Sequence, residues 1–404
     1  MLENIEFRNI DKSNWQIHRF DEIAFSISEK VDPTNTDLEI YVGLEHIDPE
    51  SIHIKRFGQQ GDVKGTKLRC YPGDIIFGRR RAYQRKAAIV DFDGFCSAHS
   101  LVLRANPEII YPNLLPFFLH SDLFMHCAID ISVGSLSPTI NWKTLKHQEF
   151  LIPPKGQQAK IAELLWAMDD MVSSYKIIEL KLEDLYKSIS GRTFSKSVEK
   201  YYSELPFNFK NTKWIQNNLE EYCTLITDGS HLSPKTEVNG MPICTVENMR
   251  DNSINIESCR TISIDDFKDL VRNNCKPEID DVLFSKDGTI GKTFVYKQTE
   301  NIVLLSSIAI IRTKKDLLLP EYCFLIFDSP VFFNEIEKKK SGTALRRIVL
   351  RDIKQFQIRV PSIEIQKEVI AKIMLIKKEL DNLKNQIIIS SSLQRSLINE
   401  MFSS

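Results

Sequence analysis

The chain has 404 residues, 42% of them hydrophobic, and its 53 Lys and Arg against 54 Asp and Glu leave a formal net charge of −1. This length predicts two or three globular domains, and the near-zero charge excludes a uniformly basic nucleic-acid binder, so any such contact must come from local clusters. No apolar run could span a bilayer, no signal-peptide core is present, and the eight scattered cysteines form no CxxC pair, so we expect a cytoplasmic protein without a membrane segment.

The segment 1–153 predicts a mixed α+β domain, with short β-type runs at 87–91 and 101–104 and a short helix near 114–124. Within it, GRRRAYQRK at 78–86 places five positive charges in nine residues with no acid. Arginine and lysine bind guanine edges or phosphates, glutamine binds adenine, and tyrosine stacks. We predict DNA contact by this run; a solvated basic turn is the alternative. The candidate residues are Arg79, Arg80, Arg81, Tyr83, Gln84, Arg85 and Lys86.

A second polar loop, GSLSPT at 134–139, follows in the same domain. Its hydroxyl groups and exposed backbone amides suit phosphate contacts. We predict such contacts from Ser135, Ser137 and Thr139, and a loop that only connects two elements is the alternative.

A long helix is predicted over 154–191. Two prolines precede it, and its apolar residues recur at alternating spacings of three and four, as in a coiled coil. About 30 residues of helix extend roughly 45 Å. The seam of this helix contains Ile161, Leu165, Met168, Val172, Tyr175 and Leu182.

After a polar linker at 192–212, the segment 213–361 repeats the order of the first domain at a distance of about 200 residues. Chance similarity between two unrelated mixed domains is the alternative, but the common order of several matches favours an internal repeat. The matches pair Trp15-Gln16-Ile17 with Trp214-Ile215-Gln216, 73–77 with 280–284, Gly134-Ser135 with Gly342-Thr343, Ile152-Pro153 with Val360-Pro361, and Gln158-x-x-Ile161 with Gln366-x-x-Val369.

The counterpart of the arginine run is SKDGTIGKT at 285–293, which ends in GKT. A phosphate-binding P-loop needs a glycine where Lys286 stands, so we reject an ATPase site and predict DNA contact here as well. Polar loops at 226–231 and 341–347 add further candidates. The predicted contacts of this second domain are His231, Lys286, Asp287, Thr289, Lys292, Thr343, Arg346 and Arg347.

The C-terminal segment 362–404 predicts a second long helix whose apolar seam has the same register as the first. A narrow apolar seam on a long helix needs a partner helix to cover it, and the other long helix is the expected partner. If pseudo-twofold symmetry relates the two halves, the two helices pair as an antiparallel coiled coil. The alternative is that each helix packs on its own domain. The seam residues are Val369, Ile373, Ile376, Leu380, Leu383 and Ile387.

Catalytic motifs are absent from the sequence. There is no [DN]PP[YF] or FxGxG methyltransferase motif, no Pro-Asp at nuclease spacing before an acid-x-Lys triplet, and no paired histidine motif for a metal. We therefore expect a chain without catalytic activity, metal or cofactor of its own.

The order of these segments resembles the specificity subunit of a Type I restriction-modification system. Residues 71–104 are similar to a frequent target recognition domain of that family, and TDGSHLSP at 227–234 and SKDGTIGKTFVY at 285–296 resemble another version. Each domain also ends in IPP or VPS before a Q-x-x-I/V helix, so the resemblance covers nearly the whole chain.

The resemblance implies an α+β fold in which two target recognition domains, 1–153 and 213–361, alternate with two spacer helices. Each domain would read one half of a bipartite site in double-stranded DNA. Two modification subunits would dock around the helices and methylate adenine, and restriction subunits would join through the complex and cleave DNA using ATP.

The sequence is also compatible with two other functions. One is a specificity subunit of another methylation-based defence system, and the second is a non-catalytic coiled-coil scaffold whose domains bind proteins. The arginine run and its counterpart favour DNA over protein.

Overall fold

The computed structural model describes residues 11–209, 212–339 and 347–403. The chain forms two compact units: the first combines Met1–Ile177 with Lys384–Ser404, and the second is Ile178–Leu383. This division cuts both predicted long helices, so each unit contains a piece of each helix.

The first unit contains short strands and helices of the kind predicted. Its strands are β1 (Gln16–Arg19), β2 (Ala24–Ile27), β3 (Lys30–Val31), β4 (Ile40–Val42), β5 (Gly58–Gln59), β6 (Lys67–Cys70), β7 (Ile75–Gly78), β8 (Ala87–Ile89), β9 (Gly94–Cys96), β10 (Ser100–Ala105) and β11 (Glu149–Ile152). Its short helices are α1 (Phe20–Ile23), α2 (Leu115–His120), α3 (Asp122–Asp130) and α4 (Trp142–Leu145), and α5 (Lys155–Thr193) follows.

Two sheets and a strand pair organise the first unit. One sheet has the order β2-β10-β7-β8, a second has the order β3-β6-β9-β4-β5, and β1 pairs with β11. The strand β7 is buried on both faces, as expected for a continuous apolar run. Next to it lies a cluster of phenylalanines, with ring centroids 5.1 Å apart for Phe20 and Phe124 and 5.2 Å apart for Phe118 and Phe150.

The second unit has its own set of elements. Its strands are β12 (Ile215–Asn218), β13 (Cys223–Asp228), β14 (Met241–Cys244), β15 (Arg260–Ile262), β16 (Val282–Ser285), β17 (Thr293–Val295), β18 (Val303–Leu304), β19 (Ile308–Thr313) and β20 (Gln357–Val360). Its helices are α6 (Ile264–Arg272), α7 (Pro320–Phe327), α8 (Pro330–Lys339) and α9 (Leu350–Lys354), and α10 (Ile363–Met401) follows. The sheets have the orders β13-β19-β16-β17 and β15-β14-β18, and β12 pairs with β20.

The main sheets of the two units have the same connectivity. In the first, β10 pairs with β2 and β7; in the second, β19 pairs with β13 and β16. In each main sheet, a buried carboxylate stands just before the strand that we call the central strand, β7 or β16, and binds an arginine. Arg104 donates to Asp74 over 2.7 and 2.9 Å, and Arg312 donates to Asp281 over 2.8 and 2.8 Å. The sequence match between 73–77 and 280–284 therefore corresponds to the same position in two similar sheets.

Both long helices contain 39 residues and begin and end close to the predicted bounds. In the first unit, Leu165 of α5 shares a core with Leu397 of α10, and the Gln394 side-chain amide donates to the Leu165 carbonyl over 3.1 Å. In the second, Tyr186 of α5 shares a core with Val369 of α10. Each unit is thus built on segments of both helices.

The remaining seam residues vary in burial. Val172, Ile373 and Leu380 are buried. Half-buried seam residues that pack against a core are Ile161, Met168, Leu182 and Ile376. Also half-buried are Tyr175, Leu383 and Ile387.

The segment expected to be a polar linker, 192–212, differs from that description. Val198, Leu205, Phe207 and Phe209 are buried in the core of the second unit. Burial of these apolar side chains offsets the conformational entropy lost when the segment becomes ordered. The segment is therefore part of the second unit. Among the described residues, no helix has the length and apolar character needed to cross a membrane.

Candidate nucleic-acid interface

The arginine run forms a tight loop, the arginine loop (78–86), between β7 and β8. A 3₁₀ turn occupies Ala82–Gln84, and the flanking Arg81 and Arg85 have φ angles of 53° and 51°. Such left-handed backbone is uncommon for residues other than glycine. The turn leaves Arg80, Arg81 and Tyr83 exposed, so the local conformation presents two guanidinium groups and a phenol ring on one short segment.

The second predicted loop, the serine loop (133–139), lies against the arginine loop. Val133 and Thr139 exchange backbone hydrogen bonds of 3.0 Å, which close the serine loop at its base. The Arg81 amide then donates to the Pro138 carbonyl, and the Ile140 amide donates to the Arg79 carbonyl, each over 2.8 Å. The structure thus brings two of the sequence-predicted loops into one surface, which we call the first basic surface.

Two of the five cations in the arginine loop form hydrogen bonds or ion pairs with other parts of the first unit. The Arg85 guanidinium is 13% exposed and donates to Asp122 over 2.5 Å and to the His120 carbonyl over 2.8 Å. The Lys86 ammonium donates to the Leu44 carbonyl over 2.6 Å. These two cations attach the loop to the body of the unit, which makes them positioning residues.

Other side chains of this loop are better placed for an external partner. Arg80, Arg81 and Tyr83 are exposed, and Gln84 is half-buried. The Nε of Arg79 is buried and has no hydrogen-bond partner among the described residues. A buried donor without a partner is costly.

One exposed residue near the arginines, His99, is not among the predicted contacts. Burial lowers the pKa of His99, and the nearby charges of Arg80, Arg79 and Lys67 lower it further. His99 therefore lies within electrostatic reach of Arg79 and Arg80. The signal in the sequence was weak, because a lone histidine in a turn between β9 and β10 resembles any solvated polar residue.

In the second unit, residues 285–293 form a tight loop, the glycine loop, between β16 and β17. The Ser285 hydroxyl donates to the Thr289 carbonyl over 2.6 Å and accepts from the Lys292 amide over 2.8 Å. Gly291 has φ of 107°, and a Cβ added there would lie 2.5 Å from the Phe333 ring. Gly288 also has a positive φ, of 69°. The tight turn therefore favours glycine at both positions, which explains the P-loop-like sequence without a nucleotide.

The glycine loop is braced in the same way as the arginine loop. The Ile348 amide donates to the Lys286 carbonyl over 2.9 Å, and Asp287 and Arg347 form an antiparallel bridge, as Arg80 and Thr139 do in the first unit. Arg347 and Thr289 are exposed. Two of the predicted contacts, Thr343 and Arg346, lie outside the described residues.

Within the unit, carboxylates neutralise Lys286 of the glycine loop, and a backbone carbonyl binds Lys292. The buried Lys286 ammonium lies 3.1 Å from Asp228 and 3.2 Å from Asp287. His231 lies 3.3 Å from the same Asp228, and the Lys292 ammonium donates to the Met249 carbonyl over 3.0 Å. Among the residues that the structure describes, this surface, the second polar surface, presents hydroxyl, amide and carboxylate groups and fewer free cations than the first basic surface.

We expect Lys286→Ala to destabilise the second unit by about 2 kcal/mol, because it leaves two carboxylates facing each other without a counter-charge. Urea denaturation of the full chain measures this change. Lys235→Ala, which removes an exposed cation of the same unit, is the matched control and should have little effect. An unchanged free energy of unfolding for Lys286→Ala would show that the lysine has no structural role.

The first unit also contains a cleft of about 360 Å³ that is lined by polar and charged side chains away from the arginine loop. Its walls include Glu50, His53, Asp169 and Arg395, and the His53 imidazole lies 2.5 Å from the Asp169 carboxylate. This hydrogen bond raises the pKa of His53, and burial opposes the rise. Among the described residues, no group of three or more His, Cys, Asp or Glu could hold a metal ion.

The raised pKa of His53 predicts a pH dependence of stability. The protonated imidazole is favoured in the folded chain, so its contribution is full below the unfolded pKa of about 6.5 and is lost as pH rises through the higher folded pKa. With 35% of the side chain exposed, we expect a loss below about 1 kcal/mol. Urea titrations at several pH values should show it for wild type and His147→Gln but not for His53→Gln. A His53→Gln profile as steep as wild type would contradict this assignment.

Comparisons with a protein family, with curated proteins and with a solved structure all relate the chain to Type I restriction specificity subunits. The sequence profile of the Type I restriction modification DNA specificity domain matches residues 12–182 and again 173–390. Among curated proteins, the chain is 28% identical to the Type I restriction enzyme EcoDI specificity subunit of Escherichia coli over 201 residues, which are 47% of this chain and 44% of that one. It is 22% identical to the EcoBI specificity subunit of Escherichia coli over 291 residues, or 67% of this chain and 60% of that one.

The match therefore spans about half the length of these two relatives. A solved structure, the type I restriction-modification S subunit from M. genitalium, aligns with 97% of this chain and 96% of its own at a TM-score of 0.61 and 13% identity. At that identity the likeness concerns the fold. Two copies of one profile cover most of the sequence, and the chain belongs to the Type I restriction modification DNA specificity domain family.

Proposed function

We propose that the chain is the DNA sequence-specificity subunit of a Type I restriction-modification complex, in which each unit reads one half of a bipartite site. The observation that carries this proposal is the shared bracing of the two candidate loops. In each unit, the loop after the central strand is hydrogen-bonded to the loop before a short helix, through Arg79 and Ile140 in one and Lys286 and Ile348 in the other. Rigid supports of this kind suit side chains that read base edges.

The two surfaces differ in chemistry, which favours two different half-sites. The first basic surface presents Arg80 and Arg81, and arginine forks onto guanine O6 and N7 in the major groove. The second polar surface presents Asp287, Thr289 and Arg347 near a neutralised lysine. Carboxylates accept from cytosine N4, and hydroxyls bind either bases or phosphates.

We further propose that α5 and α10 pair as an antiparallel coiled coil, relate the units by pseudo-twofold symmetry and set the spacing between the half-sites. The joint contribution of both helices to each core supports this. So does the equivalent use of Gln158 and Gln366 near the start of each helix, where both side chains bind backbone groups.

The partners in this proposal are double-stranded DNA and modification subunits, with restriction subunits joining through the complex. An apolar stripe on α5 supports docking of another chain: Met171, Ile178 and Leu185 are exposed and recur every seven residues. Exposed apolar stripes of this kind mark protein interfaces. Catalysis would lie on the partner chains, in keeping with a sequence that has no [DN]PP[YF] or FxGxG methyltransferase motif.

The test is co-expression of the chain with a modification (methyltransferase) subunit from the same genome, followed by mapping of methylated adenines in the host DNA. We expect one two-part motif, and an affinity of the purified complex for that motif that falls steeply with salt, because phosphate contacts release counterions. An active methyltransferase partner without any motif would overturn the proposal and favour a protein-binding scaffold.

A further inference from the structure

The tip of the serine loop presents an apolar side chain to solvent. Leu136 is 94% exposed, and Val133 at the base of the same loop is 67% exposed. A leucine that is almost fully exposed contributes no packing to its own domain.

The loop holds Leu136 outward in a defined conformation. The backbone hydrogen bonds between Val133 and Thr139 close the loop, and the Thr139 hydroxyl donates to the Ser137 carbonyl over 3.1 Å. Gly134 has φ of 113°, a conformation that favours glycine. Because the base of the loop is also bonded to the arginine loop, Leu136 is preorganised with respect to the arginines.

Single exposed apolar residues are common on soluble proteins and need no explanation in general. Leu136 differs because of its neighbours. Ser135 and Ser137 flank it, and Arg80 and Arg81 are exposed on the loop beside it. A surface of cations and hydroxyls attracts a polyanion, and the apolar group that DNA offers on its base edges is the 5-methyl of thymine in the major groove.

We propose that Leu136 is a specificity-determining residue that enters the major groove of the half-site bound by the first unit and contacts a thymine methyl group. This inference rests on the proposed function and names part of what the first unit reads. In the second half of the sequence, the match of Gly134-Ser135 with Gly342-Thr343 aligns Ala344 with Leu136, so we assign the contact to the first unit. The contact therefore belongs to one half-site.

The experiment uses the complete complex with its modification subunits and duplexes carrying the mapped motif. Each thymine of the half-site is replaced in turn by deoxyuridine, which lacks the methyl group. For wild type we expect about fourfold weaker binding at one thymine position, the effect of losing one apolar contact. Leu136→Ala should bind the unmodified site about tenfold more weakly and lose the sensitivity to deoxyuridine at that position.

Ile17→Ala, which shortens another exposed apolar residue, on β1 of the same unit, is the matched control and should bind like wild type. Equal affinity of Leu136→Ala and wild type, or an unchanged response to deoxyuridine, would overturn the inference. Loss of assembly with the modification subunits in Leu136→Ala would also overturn it, since the side chain would then bind protein. A wild-type complex that binds DNA without sequence preference would instead refute the proposed function itself.

Discussion

Simultaneous replacement of Arg79, Arg80 and Arg81 by alanine is expected to weaken binding of the complex to its motif by at least about a hundredfold. Two lost base contacts of 1–3 kcal/mol each are of this order. The remaining binding should no longer discriminate base changes in one half-site and should keep its discrimination in the other. Competition with duplexes mutated at each position measures both quantities, and the slope of affinity against salt should fall by about one unit per lost phosphate contact.

Two further variants control for charge and for the assignment of half-sites. Lys143→Ala removes an exposed cation on α4 of the same unit and should leave recognition unchanged. Arg347→Ala in the second unit should relax the other half-site. A triple arginine variant that folds, assembles and still discriminates both halves would refute the role of the first basic surface.

Gln158→Leu is expected to destabilise the first unit by about 3–4 kcal/mol. The buried side chain accepts from the Tyr111 amide over 2.5 Å and donates to the Ile109 and Pro153 carbonyls over 2.8 and 2.7 Å. Leucine would leave these backbone groups without partners at a buried helix start, which costs about 1–3 kcal/mol for each group that water cannot reach. Urea denaturation of the full chain measures the effect.

The matched controls lie on the same helix and in the other unit. Gln157→Leu changes a half-buried neighbour and should have an effect below about 0.5 kcal/mol. Gln366→Leu should match Gln158→Leu, since Gln366 accepts from the Leu319 amide over 2.9 Å and donates to the Leu317 and Pro361 carbonyls over 2.8 and 3.0 Å. A loss below about 1 kcal/mol for either would show that water replaces the side chain.

Much of the architecture could be predicted from the sequence because its signals are local. The strand expected at 101–104 is confirmed as part of β10, and both long helices lie close to their predicted bounds. The sequence showed the matching Gln-x-x-Ile and Gln-x-x-Val motifs but not the hydrogen bonds that the glutamine side chains make. These could not be predicted because Gln158 binds the backbone of residues such as Ile109, which is 49 residues away. The buried apolar residues of 192–212 were overlooked because they show no period.

The sequence by itself determined the family, the mixed α+β character and the two loops that follow the central strands, because apolar periodicity, turn residues and charge clusters act over a few residues. Only the tertiary structure decided which cations are free. Arg81 and Arg85 look alike in the arginine run, yet Arg85 meets Asp122 of α3, 37 residues further on, and Arg81 faces solvent. Lys286 meets Asp228 of β13 in the same way. A side chain's partners depend on which elements pack beside it, and that information is spread over the whole fold.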